Sequence, residues 1–277
     1  MSKVYVVTSG KGGVGKTTAT ANLGAGLAGL GKRVALVDAD IGLRNLDLML
    51  GLENRIVFDL VDVLDKKCRS YKQALIRDKR FESLFLLPAA QSKNKDAVKS
   101  DQMKELMDQL REEFDYVFID CPAGIEGGFH NAVIGADEAI IITNPEVSSV
   151  RDADRVIGLL EAEDKNKVSL IVNRIRNDLV KKGQMLSIDD IQDILRIDLL
   201  GVVPEDQKIL FHANKGEPVI LDRFSPAGDA YRKIVGRLND PTMPREEITQ
   251  HRNGGLRGFL IRLMRSTMEK LEKGATS

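Results

Sequence analysis

Short apolar runs recur along the chain, each bounded by polar or turn-forming residues: Val4–Thr8, Val34–Asp38, Leu84–Pro88, Tyr116–Asp120, Ala139–Thr143, Val168–Asn173 and Leu200–Val203. They are continuous rather than alternating, the mark of strands buried on both faces. Between them lie stretches with helical periodicity: Thr17–Leu30, Asp101–Glu113, Gly128–Ala136, Val147–Glu161 and Ile188–Leu195. Strands separated by helices predict an α/β fold, a mostly parallel sheet flanked by helices on both faces. Ligands in such sheets sit at the carboxyl ends of the strands. The pattern predicts one domain over 1–238. It is followed by a polar, proline-punctuated linker over 239–255 and a terminal segment over 256–277.

Composition narrows the function classes. The chain has 277 residues, 41 basic and 41 acidic, so no global field points to nucleic acid. Cys68 and Cys121 are the two cysteines, far apart and outside any C-x-x-C. That argues against a disulfide framework or a bound metallocluster and fits a reducing cytosol. No apolar run approaches the ~20 residues of a membrane span. The first residues enter a strand pattern at once, so no signal or transit peptide is expected.

One segment carries chemistry of high specificity. Gly10-Lys11-Gly12-Gly13-Val14-Gly15-Lys16-Thr17-Thr18 fits the phosphate-loop pattern G-x-x-x-x-G-K-[ST], with an extra lysine at position 11. Glycines let backbone N–H groups turn inward onto phosphate oxygens. Lys16 is placed to reach the β- and γ-phosphates, and the Thr17 hydroxyl to hold Mg²⁺. A strand before the loop and a helix after it complete an anion site for a triphosphate.

Other strand ends supply acids. Asp38 and Asp40 close the second run. They suit helix or turn capping. They also suit a γ-phosphate-sensing loop in which Asp40 orients the attacking water and Asp38 supports Mg²⁺ and its waters. Tyr116–Asp120 has a Walker B form, with Asp120 supporting Mg²⁺. The turn Cys121-Pro122-Ala123-Gly124 follows it, and Cys121 reads as a packing residue because no histidine or second cysteine stands near.

These segments together resemble the deviant Walker A ATPases of the SIMIBI class, the ParA/MinD-like family, over residues 1–238. The resemblance implies ATP hydrolysis by in-line water attack, with ATP and Mg²⁺ bound. It implies an ATP-dependent homodimer in which Lys11 reaches the partner copy's phosphates, as an arginine finger does. Adenine is expected at Asn173-Arg174 and Pro204-Glu205-Asp206. Ser148-Ser149-Val150-Arg151-Asp152 opens a helix, where a serine cap and early acids suit the dipole. In MinD-like members this face meets MinC and MinE, so a MinC-like inhibitor and a MinE-like activator are the implied partners, with Asp152 the candidate contact.

The terminal segment adds a membrane reading. On a helical wheel Leu256, Phe259, Leu260, Leu263 and Met264 share one face with Leu271. Arg257, Arg262, Arg265 and Lys270 against Glu269 leave three net positive charges over 256–271. An apolar face backed by basic residues after a linker suits a helix lying on an anionic membrane. A helix docked on the domain's own core has the same pattern. The family resemblance favours the membrane, placing the protein in the cytoplasm and, peripherally, on the cytoplasmic face of the cell membrane. No nucleic acid is expected as partner. The alternative is a ParA-type DNA-segregation ATPase, which needs a basic DNA surface and no terminal amphipathic helix.

Overall fold

Eight strands form one sheet among the residues described by the computed structural model, which are 2–91, 98–122, 124 and 128–243. The strands are β1 (Lys3–Thr8), β2 (Val34–Asp38), β3 (Ile76–Arg77), β4 (Leu84–Leu87), β5 (Tyr116–Asp120), β6 (Glu138–Thr143), β7 (Val168–Ile175) and β8 (Asp198–Pro204). Their order is β3-β4-β2-β5-β1-β6-β7-β8, and every pairing is parallel except the antiparallel β3–β4 edge. The helices are α1 (Lys16–Gly29), α2 (Leu46–Leu50), α3 (Leu60–Leu64), α4 (Ser100–Arg111), α5 (Gly128–Ile134), α6 (Val147–Ala162), α7 (Asn177–Lys181), α8 (Ile188–Leu195), α9 (Lys208–Ala213) and α10 (Pro226–Asn239).

Each buried strand feeds two cores. In β1, Val4 and Val6 face a layer with Leu106, Met107, Val156 and Leu160 of α4 and α6. Tyr5 and Val7 face the opposite layer with Leu23, Leu27, Tyr231 and Ile234 of α1 and α10. The period-2 alternation of a strand therefore appears as two apolar faces, each covered by helices. Tyr5 stacks on Phe118 at 5.3 Å between centroids, binding β1 to β5 on the second face.

The seven runs all fold as strands, displaced at their ends by no more than two residues. What the sequence pattern leaves out is short. β3 has two residues, and α2, α3, α7 and α9 have five or six, too few to show a full period. α10 is different. Its Ser225 hydroxyl accepts from Gly228 N at 2.9 Å with Pro226 in the first turn, a start signal written in the sequence.

One expectation is corrected. The cap of α6 is Glu146, not a serine, and it makes no side-chain capping bond. Ser148 and Ser149 already lie inside the first turn, which holds no acid. The helix starts at Val147, as its periodicity predicts, where the Asn144-Pro145-Glu146 turn ends, with Glu146 N bonded to Asn144 O at 2.8 Å.

The last described helix, α10, ends at the edge where the strands begin. Tyr116, the first residue of β5, donates to Leu238 O at 3.3 Å. Beyond Asn239 the chain turns, with Thr242 N on Asp240 Oδ1 at 2.9 Å. Of the expected linker only 239–243 is described, and the terminal residues Leu256, Phe259, Leu260, Leu263 and Met264 lie outside the described residues.

Candidate functional site

The loop between β1 and α1 is held by its own side chains. Ser9 Oγ donates to Lys11 O at 2.7 Å, and Lys16 Nζ donates to Ser9 Oγ at 3.1 Å. Lys16 is buried, with its ammonium resting on a hydroxyl rather than a carboxylate. A buried cation held by one neutral oxygen is under-solvated, and phosphate oxygens offer it a better partner. Gly15 caps α1 at φ 104°, a left-handed conformation that a β-carbon disfavours. Asn173 closes over it, donating from Nδ2 to Val14 O at 2.7 Å, and a β-carbon on Gly15 would stand 2.4 Å from that nitrogen. Gly12, Gly13, Thr17 and Thr18 complete the loop and the first turn of α1 at the sheet's carboxyl edge.

Two carboxylates meet behind it. Asp38 ends β2 directly opposite Asp120, which ends β5, and both are 1% exposed. Burial is the main force raising each carboxyl well above its ordinary range. The charge of Asp120 adds to the rise at Asp38, while Thr17 and Lys16 pull Asp120 the other way. Asp38 spends both oxygens on its own loop: Oδ1 accepts Asp40 N at 3.0 Å and Oδ2 accepts Leu46 N at 3.2 Å. Asp38 thus braces the loop that carries Asp40. Asp120 Oδ1 has no hydrogen-bond partner among the described residues. An unpaired buried carboxylate oxygen beside Thr17 and Lys16 is what a Mg²⁺–phosphate pair requires.

Cys121 follows Asp120 and is fully enclosed. Burial pushes its thiol up to about 12, so it packs and does not attack. Of the turn after it, Ala123 lies outside the described residues, and Gly124 stands at φ 89°.

The phosphate loop touches α6. A β-carbon on Gly10 would lie 2.3 Å from Asp152 O. Lys11 Nζ is 3.7 Å from Glu146 Oε2 across an exposed gap. Asp152 itself is half-buried beside the loop. The site therefore includes Ser9 and Glu146, which no motif marks. Their roles come from where β1 and β6 end, side by side in the sheet.

The expected adenine segments are neighbours. β7 breaks register between Val172 and Ile175, with Arg174 at φ 58° and exposed, and Glu205 N bonds Ile175 O at 3.1 Å. That irregularity sets Asn173 and Arg174 beside Pro204 and Glu205. The Asp206 carboxylate is engaged within the domain: Oδ1 accepts Lys208 N at 2.9 Å and Oδ2 accepts Ser225 Oγ at 2.6 Å. Its carboxylate ties α9 to the start of α10.

Comparison with known proteins agrees with this geometry. Residues 5–219 match the model of the CobQ/CobB/MinD/ParA nucleotide binding domain. A septum site-determining protein MinD of Synechocystis sp. is 58% identical over 245 residues, 88% of this chain and 92% of that one. The MinD of Bacillus subtilis is 54% identical, covering 92% and 95%. A MinC:MinD complex of Aquifex aeolicus superposes with TM-score 0.83 at 50% identity, covering 88% of this chain and 99% of that one. A MinD of Pyrococcus horikoshii complexed with Mg-ADP superposes at 0.79 with 30% identity, covering 87% and 97%. A ParA family ATPase of Chlorobium tepidum, at 21% identity and TM-score 0.75, shares the fold alone.

Proposed function

The chain belongs to the MinD family of septum-positioning ATPases, and from that premise we propose that it works as an ATP-controlled membrane clamp that carries a division inhibitor. Its substrate is ATP and its metal Mg²⁺. Lys16 exchanges the Ser9 hydroxyl for phosphate oxygens, and Thr17 and Asp120 would hold Mg²⁺. Held there, Mg²⁺ would neutralise phosphate charge. Asp40, at the mouth of the loop, orients the attacking water for in-line displacement. Lys11 leaves Glu146 and reaches the phosphates of a second copy, supplying the last positive charge the transition state needs.

The observation that carries this reading is two groups at the carboxyl edge of the sheet: a buried Lys16 ammonium resting on a hydroxyl, and a buried Asp120 oxygen with no hydrogen-bond partner among the described residues. Each is costly alone and is answered by the same ligand.

ATP then controls the membrane indirectly. One copy of the basic, amphipathic segment 256–277 would bind weakly. Two on one dimer gain avidity, on the order of 10²–10⁴. Hydrolysis separates the copies and releases both. A MinC-like inhibitor rides the dimer, and a MinE-like activator at the Asp152 face triggers turnover. Co-sedimentation of the full-length chain with anionic liposomes and with DNA, with ATP, ADP or no nucleotide, tests this. ATP-dependent sedimentation with liposomes is expected. Sedimentation with DNA instead returns the ParA-type reading.

A further inference from the structure

A buried ion pair stands behind the loop that carries Asp40. Arg44 Nε lies 2.9 Å from Asp47 Oδ2, with side chains 15% and 1% exposed. The approach is too oblique for a hydrogen bond, and neither carboxylate oxygen of Asp47 accepts one among the described residues. Arg44 is held at φ 38°, a conformation that costs a residue with a β-carbon. Leu43, by contrast, is 64% exposed. The loop thus inverts the usual order, charge inside and leucine outside.

Buried ion pairs seldom repay their desolvation in stability, so the use of this one is sought in geometry. The backbone of Arg44 and that of Leu43 both donate to Asp40 O at 3.2 Å. The side chain of Arg44 is fixed to Asp47 in α2, whose Leu46 and Leu50 are buried in the core. Arg44 therefore joins Asp40 to a rigid anchor by its main chain on one side and its guanidinium on the other. We propose that the Arg44–Asp47 pair is a positioning device for Asp40, setting where its carboxylate stands relative to the γ-phosphate. This rests on the reading of Asp40 as the group that orients water.

The test is single-turnover ATP hydrolysis by the full-length chain, expressed per nucleotide-binding site so that unfolded molecules do not count. Wild type, Asp47→Asn, Asp40→Ala and the double variant are compared. Asp47→Asn is expected to slow hydrolysis at least about tenfold while ATP affinity stays within about twofold, since orientation and not binding is lost. In the Asp40→Ala background it is expected to add nothing, because residues acting through one another are not additive. Arg44→Lys, which keeps the charge, recovers most of the rate. A rate for Asp47→Asn within about twofold of wild type, or an equal further fall on top of Asp40→Ala, overturns the proposal. An unchanged rate for Asp40→Ala alone overturns the Asp40 reading and this proposal with it. Should Asp47→Asn fail to fold, Arg44→Gln removes the other half of the pair and is read the same way.

Discussion

Gly10 lies so close to Asp152 that a β-carbon on it would stand 2.3 Å from the Asp152 carbonyl oxygen. The loop that receives phosphate and the helix proposed to meet protein partners are in direct backbone contact. Neither can shift without the other noticing, since the obstacle is main chain and not a flexible side chain. Gly10→Ala is therefore expected to weaken ATP binding and to destabilise the fold by about 1–3 kcal/mol, the usual range for overpacking. Calorimetric titration with ATP and urea unfolding would show it. Wild-type values in both would mean that the loop and α6 yield freely.

The Asp38–Asp120 pair gives a pH dependence. Both carboxyls are raised, chiefly by burial, so the folded chain keeps protons that the unfolded chain has released. Stability of the nucleotide-free protein should thus fall as pH rises from the ordinary carboxylate range toward neutrality and beyond. Asp120→Asn removes one of the two charges and is expected to gain about 1–2 kcal/mol at pH 8 and to lose Mg²⁺-dependent nucleotide binding. Urea midpoints between about pH 5.5 and 8, without Mg²⁺ or nucleotide, measure this. A wild-type midpoint that climbs with pH contradicts it.

Lys11 is held at 3.7 Å from Glu146 in the single chain, with both side chains about half exposed. Such a pair contributes little to stability and is easily exchanged for a phosphate. Lys11→Ala should leave melting and nucleotide binding near wild type while lowering stimulated hydrolysis by about 10³-fold or more, the scale of a lost arginine finger. Normal turnover would reject the trans-acting lysine. Glu146→Gln should lower the ATP concentration at which dimers form, read by sedimentation velocity.

Removal of residues 256–277 should abolish vesicle sedimentation and spare ATP binding. A truncated chain that still pellets with anionic vesicles would place the membrane contact on the domain.

Much of this was legible because it repeats or because it is strict. Continuous apolar runs locate buried strands, and the Gly10–Thr18 pattern admits few other uses. Strand order was not legible: β5 sits between β2 and β1, so Asp38 and Asp120 become neighbours although far apart in the chain. Ser9, Glu146 and Asp47 carry no pattern of their own, and their roles come from what the sheet sets beside them. The serine cap assigned to α6 failed because a serine two residues into a helix and a serine at its boundary look alike in sequence. The bonds of the Asp206 carboxylate to α9 and to the start of α10 carry no sequence signal either.

Helix α10 ends at Leu238 and Asn239 on the amino edge of the strands, the pole opposite the phosphate loop. A pair that meets phosphate end to phosphate end would hold the two copies of this helix end on its outer flanks, away from the seam.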